Sequence, residues 1–482
     1  MTELFNKEDD DGDEEDQELQ VMQDEEDEDG PSSNHTLKLA SANIAIKSEI
    51  FCLAFSDDGR FLLACCGDGI VRVLNPHTGV TISVLVSKRE RDRKTYAKVE
   101  AGGGGGGGGG GDSGGKSSTK KKRASSILDS VELPCTCAAF RPHNKRGEKT
   151  DGVALIGYSH GEIQLWHVPS AKILHRQAVP PPDEEAYPDS PGREEKAEEH
   201  EEEGASSSST RGARRLSSHP KRERPKDEEG DIEIPIGVEV LCCAFSGDGE
   251  FFAVGASDSV VRVYNDSTRE LLVELKPGMA RGSGHSSRVF SVKFHPDDSN
   301  VIISGGWDKC VHVWDVEKAS VVRTLFGPHV CGDAVGVIGR TIVTGSWRDE
   351  AQLEAWDMDT GKADGPPFWS GHGKGALLQQ GWGRRCRLYA TSFGGPEESS
   401  GKFLAAGGGE GANEVKVFDF LNDKRLIGSL LGLSAGVISL AFGPRGKLLA
   451  AGLANGQVHL MDIVTTADAP QESGGGKTIM VF

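Results

Sequence analysis

The sequence predicts an all-β fold in which seven similar units close into a ring. Three observations carry that reading. Short runs alternate apolar and polar residues with period two, the mark of half-buried antiparallel strands. Turns rich in Gly and Asp separate these runs, as at Asp57-Asp58-Gly59 and Asp68-Gly69. The same pattern recurs over residues 36–463 and is interrupted only by two polar inserts. A chain of 482 residues with 64 glycines can hold one large repeat domain of this kind.

Taken in order, Thr36–Ile46 (TLKLASANIAI) reads as a strand, and the first unit follows at 50–86 with IFCLAFS, FLLACC, IVRVLN and VTISVLV. The second unit, 135–179, gives CTCAAF, VALIGYS, EIQLWHV and KILHRQAV. The third, 238–276, gives VLCCAFSGDGEFFAVGASDSVVRVYN with Asp258 in its turn. The fourth, from His285, reads HSSRVFSVKFHPDDSNVIISGGWDKCVHVWD and continues with SVVRTLF. The fifth, about 332–370, starts weakly but carries TIVTGSWRDEAQLEAWD; the sixth runs about 386–431, and the seventh 435–463. Seven such units form a natural closed ring.

The fourth unit resembles a WD repeat, the blade of the β-propeller family. The resemblance implies a seven-bladed β-propeller of four-stranded antiparallel blades. In that family a His, a Ser or Thr, an Asp and a Trp join the strands of one blade, and here those positions are His285, Ser304, Asp308 and Trp314. Buried donors and acceptors of this kind persist only when paired. Units one and three lack the His and the Trp, and unit six lacks the turn Asp and the Trp. These blades are expected to depend more on packing, with irregular geometry in blade six. The ring could close with Thr36–Ile46 or with Thr478–Phe482 (TIMVF). The first is preferred, since pairing the two ends of the ring removes an exposed sheet edge.

Charge is unevenly placed. The net charge is −20, but residues 1–34 hold 16 acids and one Lys, and the inserts at 87–132 and 183–231 carry about +5 and −7. The propeller portion is therefore nearly neutral. The 1–34 tail offers almost nothing apolar to bury and is expected to be a disordered acidic tail; a basic partner is the sharper reading of it. The insert at about 87–132 holds ten consecutive glycines, Gly102–Gly111, and the one at about 180–234 is Pro-, acid- and Ser-rich before turning basic. Both are expected to be disordered and to emerge on one propeller face. Ser125 (KKRAS) and Ser217 (RRLS) resemble phosphorylation sites of basophilic kinases. The basic runs Lys120–Arg123 and Arg214–Lys226 resemble nuclear import signals. No aromatic residues interleave with them, which argues against nucleic acid as the partner.

Other chemistry finds little support. The acidic N-terminus suits neither a signal nor a transit peptide. The uncharged run Leu426–Gly443 is broken by glycines and reads as propeller rather than as a membrane span. The ten Cys residues sit mostly in strand patterns as small apolar fillers, and Cys135 with Cys137 has no second metal-ligating pair. A reduced intracellular protein follows, expected in the cytoplasm and with the basic clusters allowing the nucleus. Gly111-Asp112-Ser113-Gly114-Gly115 spells a serine-protease motif inside a glycine tract that cannot hold a nucleophile against a base. Gly476-Lys477-Thr478 lacks the first Gly of a phosphate loop. No enzyme, metal or cofactor is expected.

What remains is a binding surface. The resemblance implies that the turn between second and third strands meets partners, which singles out Trp307, and Trp347 with Arg348 in the next unit. Aromatic residues beside an Arg match interface hot spots, although packing between blades accounts for both tryptophans equally well. The expected function is a non-catalytic scaffold for protein–protein interaction. A nuclear histone or ribosome-assembly chaperone using the acidic tail is the alternative, and a G-protein β-like subunit is weaker because the tail shows no heptads.

Overall fold

The computed structural model describes residues 20–23, 35–86, 133–142, 152–180, 238–278, 283–369, 386–395 and 402–465. Two N-terminal strands, β1 (Gln20–Gln23) and β2 (His35–Ala45), precede the repeats. Blade one comprises Ile50–Phe55 (β3), Leu62–Cys66 (β4), Ile70–Leu74 (β5) and Thr81–Val86 (β6). Blade two holds Cys135–Phe140 (β7), Val153–Tyr158 (β8), Glu162–His167 (β9) and Lys172–Ala178 (β10), and blade three Val240–Phe245 (β11), Phe251–Ala256 (β12), Val261–Asn265 (β13) and Leu271–Leu275 (β14). Blade four runs Val289–His295 (β15), Asp298–Gly306 (β16), Cys310–Asp315 (β17) and Ser320–Phe326 (β18). Blade five follows with Val335–Ile338 (β19), Thr341–Gly345 (β20) and Leu353–Asp357 (β21). Arg387–Gly394 (β22), Phe403–Gly409 (β23), Glu414–Asp419 (β24) and Arg425–Leu431 (β25) make blade six, and Val437–Phe442 (β26), Leu448–Leu453 (β27) and Gln457–Thr465 (β28) make blade seven.

Seven antiparallel sheets result, one per unit, and each innermost strand lies against those of its two neighbours, β26 meeting β3 to complete the circle. The fold is a seven-bladed β-propeller. Its core lies between blades: Leu63, Val71 and Val73 of blade one pack with Ile156 and Trp166 of blade two, all nearly inaccessible to water. Burying faces between sheets in this way is what makes the alternating strands stable, since no single blade has a core of its own. Seven of the ten cysteines are buried in these layers and all ten are free thiols.

Ring closure uses the N-terminal strand. β2 pairs antiparallel with β28, from His35 opposite Thr465 to Ala45 opposite Gln457, so the outer strand of blade seven comes from the start of the chain. Three details differ from the sequence reading. Within the acidic tail, β1 adds a fifth strand to blade six, with Gln20 opposite Leu431 and Gln23 opposite Gly428. Blade six itself is regular, whereas blade five is a three-stranded sheet. Its outer position is taken by an irregular stretch held by the Asp364 amide on Ala355 O (2.7 Å) and the Phe368 amide on Leu353 O (3.1 Å). The inserts largely lie outside the described residues, as do Ser125, Ser217 and Thr478–Phe482.

Candidate functional site

Blade four places His285, Ser304, Asp308 and Trp314 in one hydrogen-bonded chain. The Trp314 indole N–H donates to Ser304 Oγ at 2.7 Å, Ser304 Oγ lies 2.8 Å from His285 Nε2, and His285 Nδ1 lies 3.0 Å from Asp308 Oδ2. An indole can only donate and an ionised carboxylate can only accept, so the ring is assigned as donating from Nδ1 and accepting the Ser304 hydroxyl at Nε2. Burial works against the Asp308 carboxylate, but His285 and the Ser286 amide hold its pKa below the usual range. His312 lies beside His285, ring centroids 4.4 Å apart, and burial pushes its pKa down to about 3. His285, Asp308 and His312 offer atoms within 4.8 Å of one another, as a metal site would require, but both nitrogens of His285 are already committed to Ser304 and Asp308.

The remaining blades solve the same problem with other residues. In each blade the middle of the third strand carries a polar side chain: Arg72, Gln164, Arg262, His312, Glu354, Lys416 and His459 occupy corresponding register positions. Blades one and three lack the His, and the turn Asp is instead held by Arg four residues later. Asp68 accepts from Arg72 at 2.6 and 3.1 Å, and Asp258 from Arg262 at 2.6 and 3.2 Å. These blades are therefore not left to packing alone. The Asp-x-x-x-Arg spacing was the available signal. In blade two Gln164 accepts from Trp166 Nε1 at 2.8 Å and from Tyr158 Oη at 3.1 Å, and in blade five Thr344 takes the serine's place, accepting from Trp356 at 2.9 Å.

Trp307 and Trp347 lie in equivalent turns of blades four and five, and both are half-buried. Trp307 meets the His329 ring edge to face at 4.6 Å, and Trp347 meets Tyr389 edge to face at 5.8 Å. Both rest against a single cluster formed by Cys331, Tyr389 and Ile438, with Ala454 at its margin. The two readings of these residues thus combine: each ring packs between blades and still presents part of its surface. Arg348 differs. Its guanidinium donates to Ala351 O at 2.8 and 3.0 Å and to Gly327 O at 3.2 Å, and it pairs with Glu354. These bonds brace the turn from within.

The same face receives the chain from both inserts. Gly69, at φ +74°, lies in the second-to-third strand turn of blade one, where a Cβ would sit 2.7 Å from Leu133 O; Gly161, at φ +90°, stands 2.8 Å from Val238 O in blade two. Leu133 and Val238 are the first described residues after each insert. Only glycine tolerates both the left-handed backbone and the close carbonyl. Charges here are mixed, as where Arg387 pairs with Asp349 at 3.0 Å and also with Glu410.

Comparison with known proteins agrees with this architecture. A family model described as "WD domain, G-beta repeat" matches residues 40–75, 237–265 and 279–315. The U3 small nucleolar RNA-associated protein 15 homolog of Xenopus tropicalis is 26% identical over 249 residues, covering 45% of this chain and 45% of that protein. The transcriptional corepressor LEUNIG_HOMOLOG of Arabidopsis thaliana is 26% identical over 219 residues, covering 44% of this chain and 23% of its own length. WD repeat-containing protein 1 of Gallus gallus is 32% identical over 100 residues, 20% of this chain and 16% of that one. The chain thus spans less than half the length of these relatives. Among solved structures, a chain of the Mitotic Checkpoint Complex crystal structure superposes with a TM-score of 0.54 at 12% identity, over 90% of this chain and 97% of that one. At that identity the likeness concerns the fold alone.

Proposed function

Because the chain belongs to the WD-repeat β-propeller family, we propose that it is a non-catalytic scaffold that binds a protein segment on the face bearing Trp307 and Trp347. The observation that carries this is their placement. Two partly exposed tryptophans on adjacent blades stand on one apolar cluster, in the same kind of second-to-third strand turn that in blades one and two meets the chain returning from the inserts. Large aromatic rings backed by a rigid scaffold contribute disproportionately to interfaces, because little side-chain freedom is lost when they are covered. Arg348 supports the turn, and His285, Ser304, Asp308 and Trp314 support the blade beneath it.

The acidic tail supports a second reading, a nuclear assembly factor shielding a basic client. Its 16 acids within 34 residues would attract such a client, and one relative is named for association with small nucleolar RNA. The names of that relative and of the transcriptional corepressor favour the nucleus as the compartment. Affinity capture from native extract separates the two readings, comparing the intact chain, Trp307→Ala/Trp347→Ala and a chain lacking residues 1–34. Specific partners lost only in the tryptophan variant, and held at raised salt, support the scaffold. Basic partners lost only on removing the tail, and released by salt, support the assembly factor.

A further inference from the structure

The outer rim of the propeller is not uniform. In blades one to four the register between third and fourth strands slips by one residue, leaving one residue of the outer strand out of the ladder: Ile82, Leu174, Leu272 and Val322. Each is a large aliphatic side chain, exposed by 51%, 53%, 51% and 57%. Blade six has the same slip at Ile427, yet Ile427 is only 2% exposed. There the outer strand β25 is flanked by β2 and paired with the added strand β1. Among the described residues, the fold thus covers one outer edge with a short segment of its own chain and leaves others uncovered.

Blade one has the most apolar open edge. Its run Val80–Val86 (VTISVLV) carries no charge, and Val80 and Val84 stand out beside Ile82. The outer strands of blades two, three and four each carry a charge that discourages strand pairing: Arg176, Glu274 and Arg323. An uncharged edge of β-branched residues is a template for another strand.

We propose that Thr478–Phe482 (TIMVF) pairs with β6 as a fifth strand of blade one. The segment is uncharged and contains Thr, Ile and Val, residues suited to a pleated edge. The ring-closing position that would otherwise suit it is filled by β2. The chain leaves blade seven at Thr465, and blade seven borders blade one through β26 and β3. The twelve intervening residues, 466–477, can span up to about 40 Å. Tethering at that length gives the segment an effective concentration in the millimolar range, above what a free copy of the protein supplies.

Hydrogen exchange read by mass spectrometry tests this on the full chain and on a chain lacking 478–482. The outward-facing amides of residues 81–86 are expected to exchange at least tenfold faster once the segment is removed, while residues 172–178 of blade two and 289–295 of blade four stay unchanged. Adding the peptide KTIMVF in trans should restore the protection. Ile82→Lys/Val84→Lys should in turn speed exchange within 478–482. Equal exchange in 81–86 with and without the segment overturns the proposal. Protection that persists in the shortened chain but rises with protein concentration, with a dimer in sedimentation, also overturns it and names a second copy as the occupant.

Discussion

Arg262 and Asp258 form a two-bonded ion pair in blade three, with Nη2 2.6 Å from Oδ2 and Nη1 3.2 Å from Oδ1, where blade four sets His285 against Asp308. The Arg262 side chain is 0% exposed and also reaches Glu274 at 3.1 Å. Burial alone would lower its pKa, but the bond to Asp258 raises it. Arg262→Met is expected to leave Asp258 without its charge partner and to cost about 3–5 kcal/mol, the range for breaking a buried pair from one side. Arg72→Met should cost clearly less, because that pair is 19% exposed on both sides. Urea unfolding midpoints of the two variants give the ordering. Equal midpoints would mean that the depth of burial does not set what such a pair contributes.

The strands themselves were legible because each has an apolar face spaced at two residues, and a face buried on both sides repeats in every unit. Substitution of Arg for His was harder to see. A family resemblance points to the usual residue type at its usual place, whereas the physical requirement is only a donor that reaches the turn carboxylate. Arg72 and Arg262 meet that requirement from the third strand, four residues on. Strand β1 was not legible, since the four residues Gln20–Gln23 lie among acids and show no alternation of apolar and polar residues; what the strand pairs with is the edge of β25, far along the chain. In sequence, Trp356-Asp357 marks blade five as regular and the missing Asp marks blade six as irregular. Regularity turned instead on whether the fourth strand could form, and Gly365 and two prolines, Pro366 and Pro367, interrupt it in blade five.

Ser304 accepts from Trp314 and bonds His285, so one hydroxyl satisfies two buried rings. Ser304→Ala should leave the Trp314 indole N–H and His285 Nε2 unpaired and lower stability by about 2–6 kcal/mol, at roughly 1–3 kcal/mol for each buried unsatisfied group. Ser304→Thr should recover most of that loss, because Thr344 makes the equivalent bond to Trp356 in blade five. Thermal or denaturant unfolding decides the point. A threonine variant as unstable as the alanine one would show that volume, not the hydroxyl, governs the site.

His312 predicts a pH dependence. In the unfolded chain a histidine takes up its proton near pH 6.5, whereas burial, with His285 alongside, holds His312 neutral down to about pH 3. Between these values the unfolded state binds more protons, so stability falls as pH is lowered, by at most about 1.4 kcal/mol per unit, and is fully present above 6.5. His312→Gln, the residue type that blade two carries at this position in Gln164, should show a flatter profile from pH 6.5 to 4.5. Urea titrations at the two ends, compared between the proteins, isolate this contribution from that of His459, whose pKa burial also lowers. Parallel profiles would place the pH dependence elsewhere.

Trp307 and Arg348 should separate binding from support. Trp307 keeps exposed surface over the cluster of Cys331, Tyr389 and Ile438, so Trp307→Ala should weaken partner binding by about 2 kcal/mol or more, roughly 30-fold in Kd. Arg348 spends its donors on Ala351, Gly327 and Glu354. Its loss should therefore lower the unfolding temperature while changing Kd far less than the tryptophan does. Titration calorimetry with the recovered partner, together with thermal unfolding of each variant, reads both quantities. If Arg348→Ala weakens binding as strongly as Trp307→Ala at unchanged thermal stability, its intramolecular bonds are exchanged for contacts with the partner, and the turn is part of the interface rather than its support.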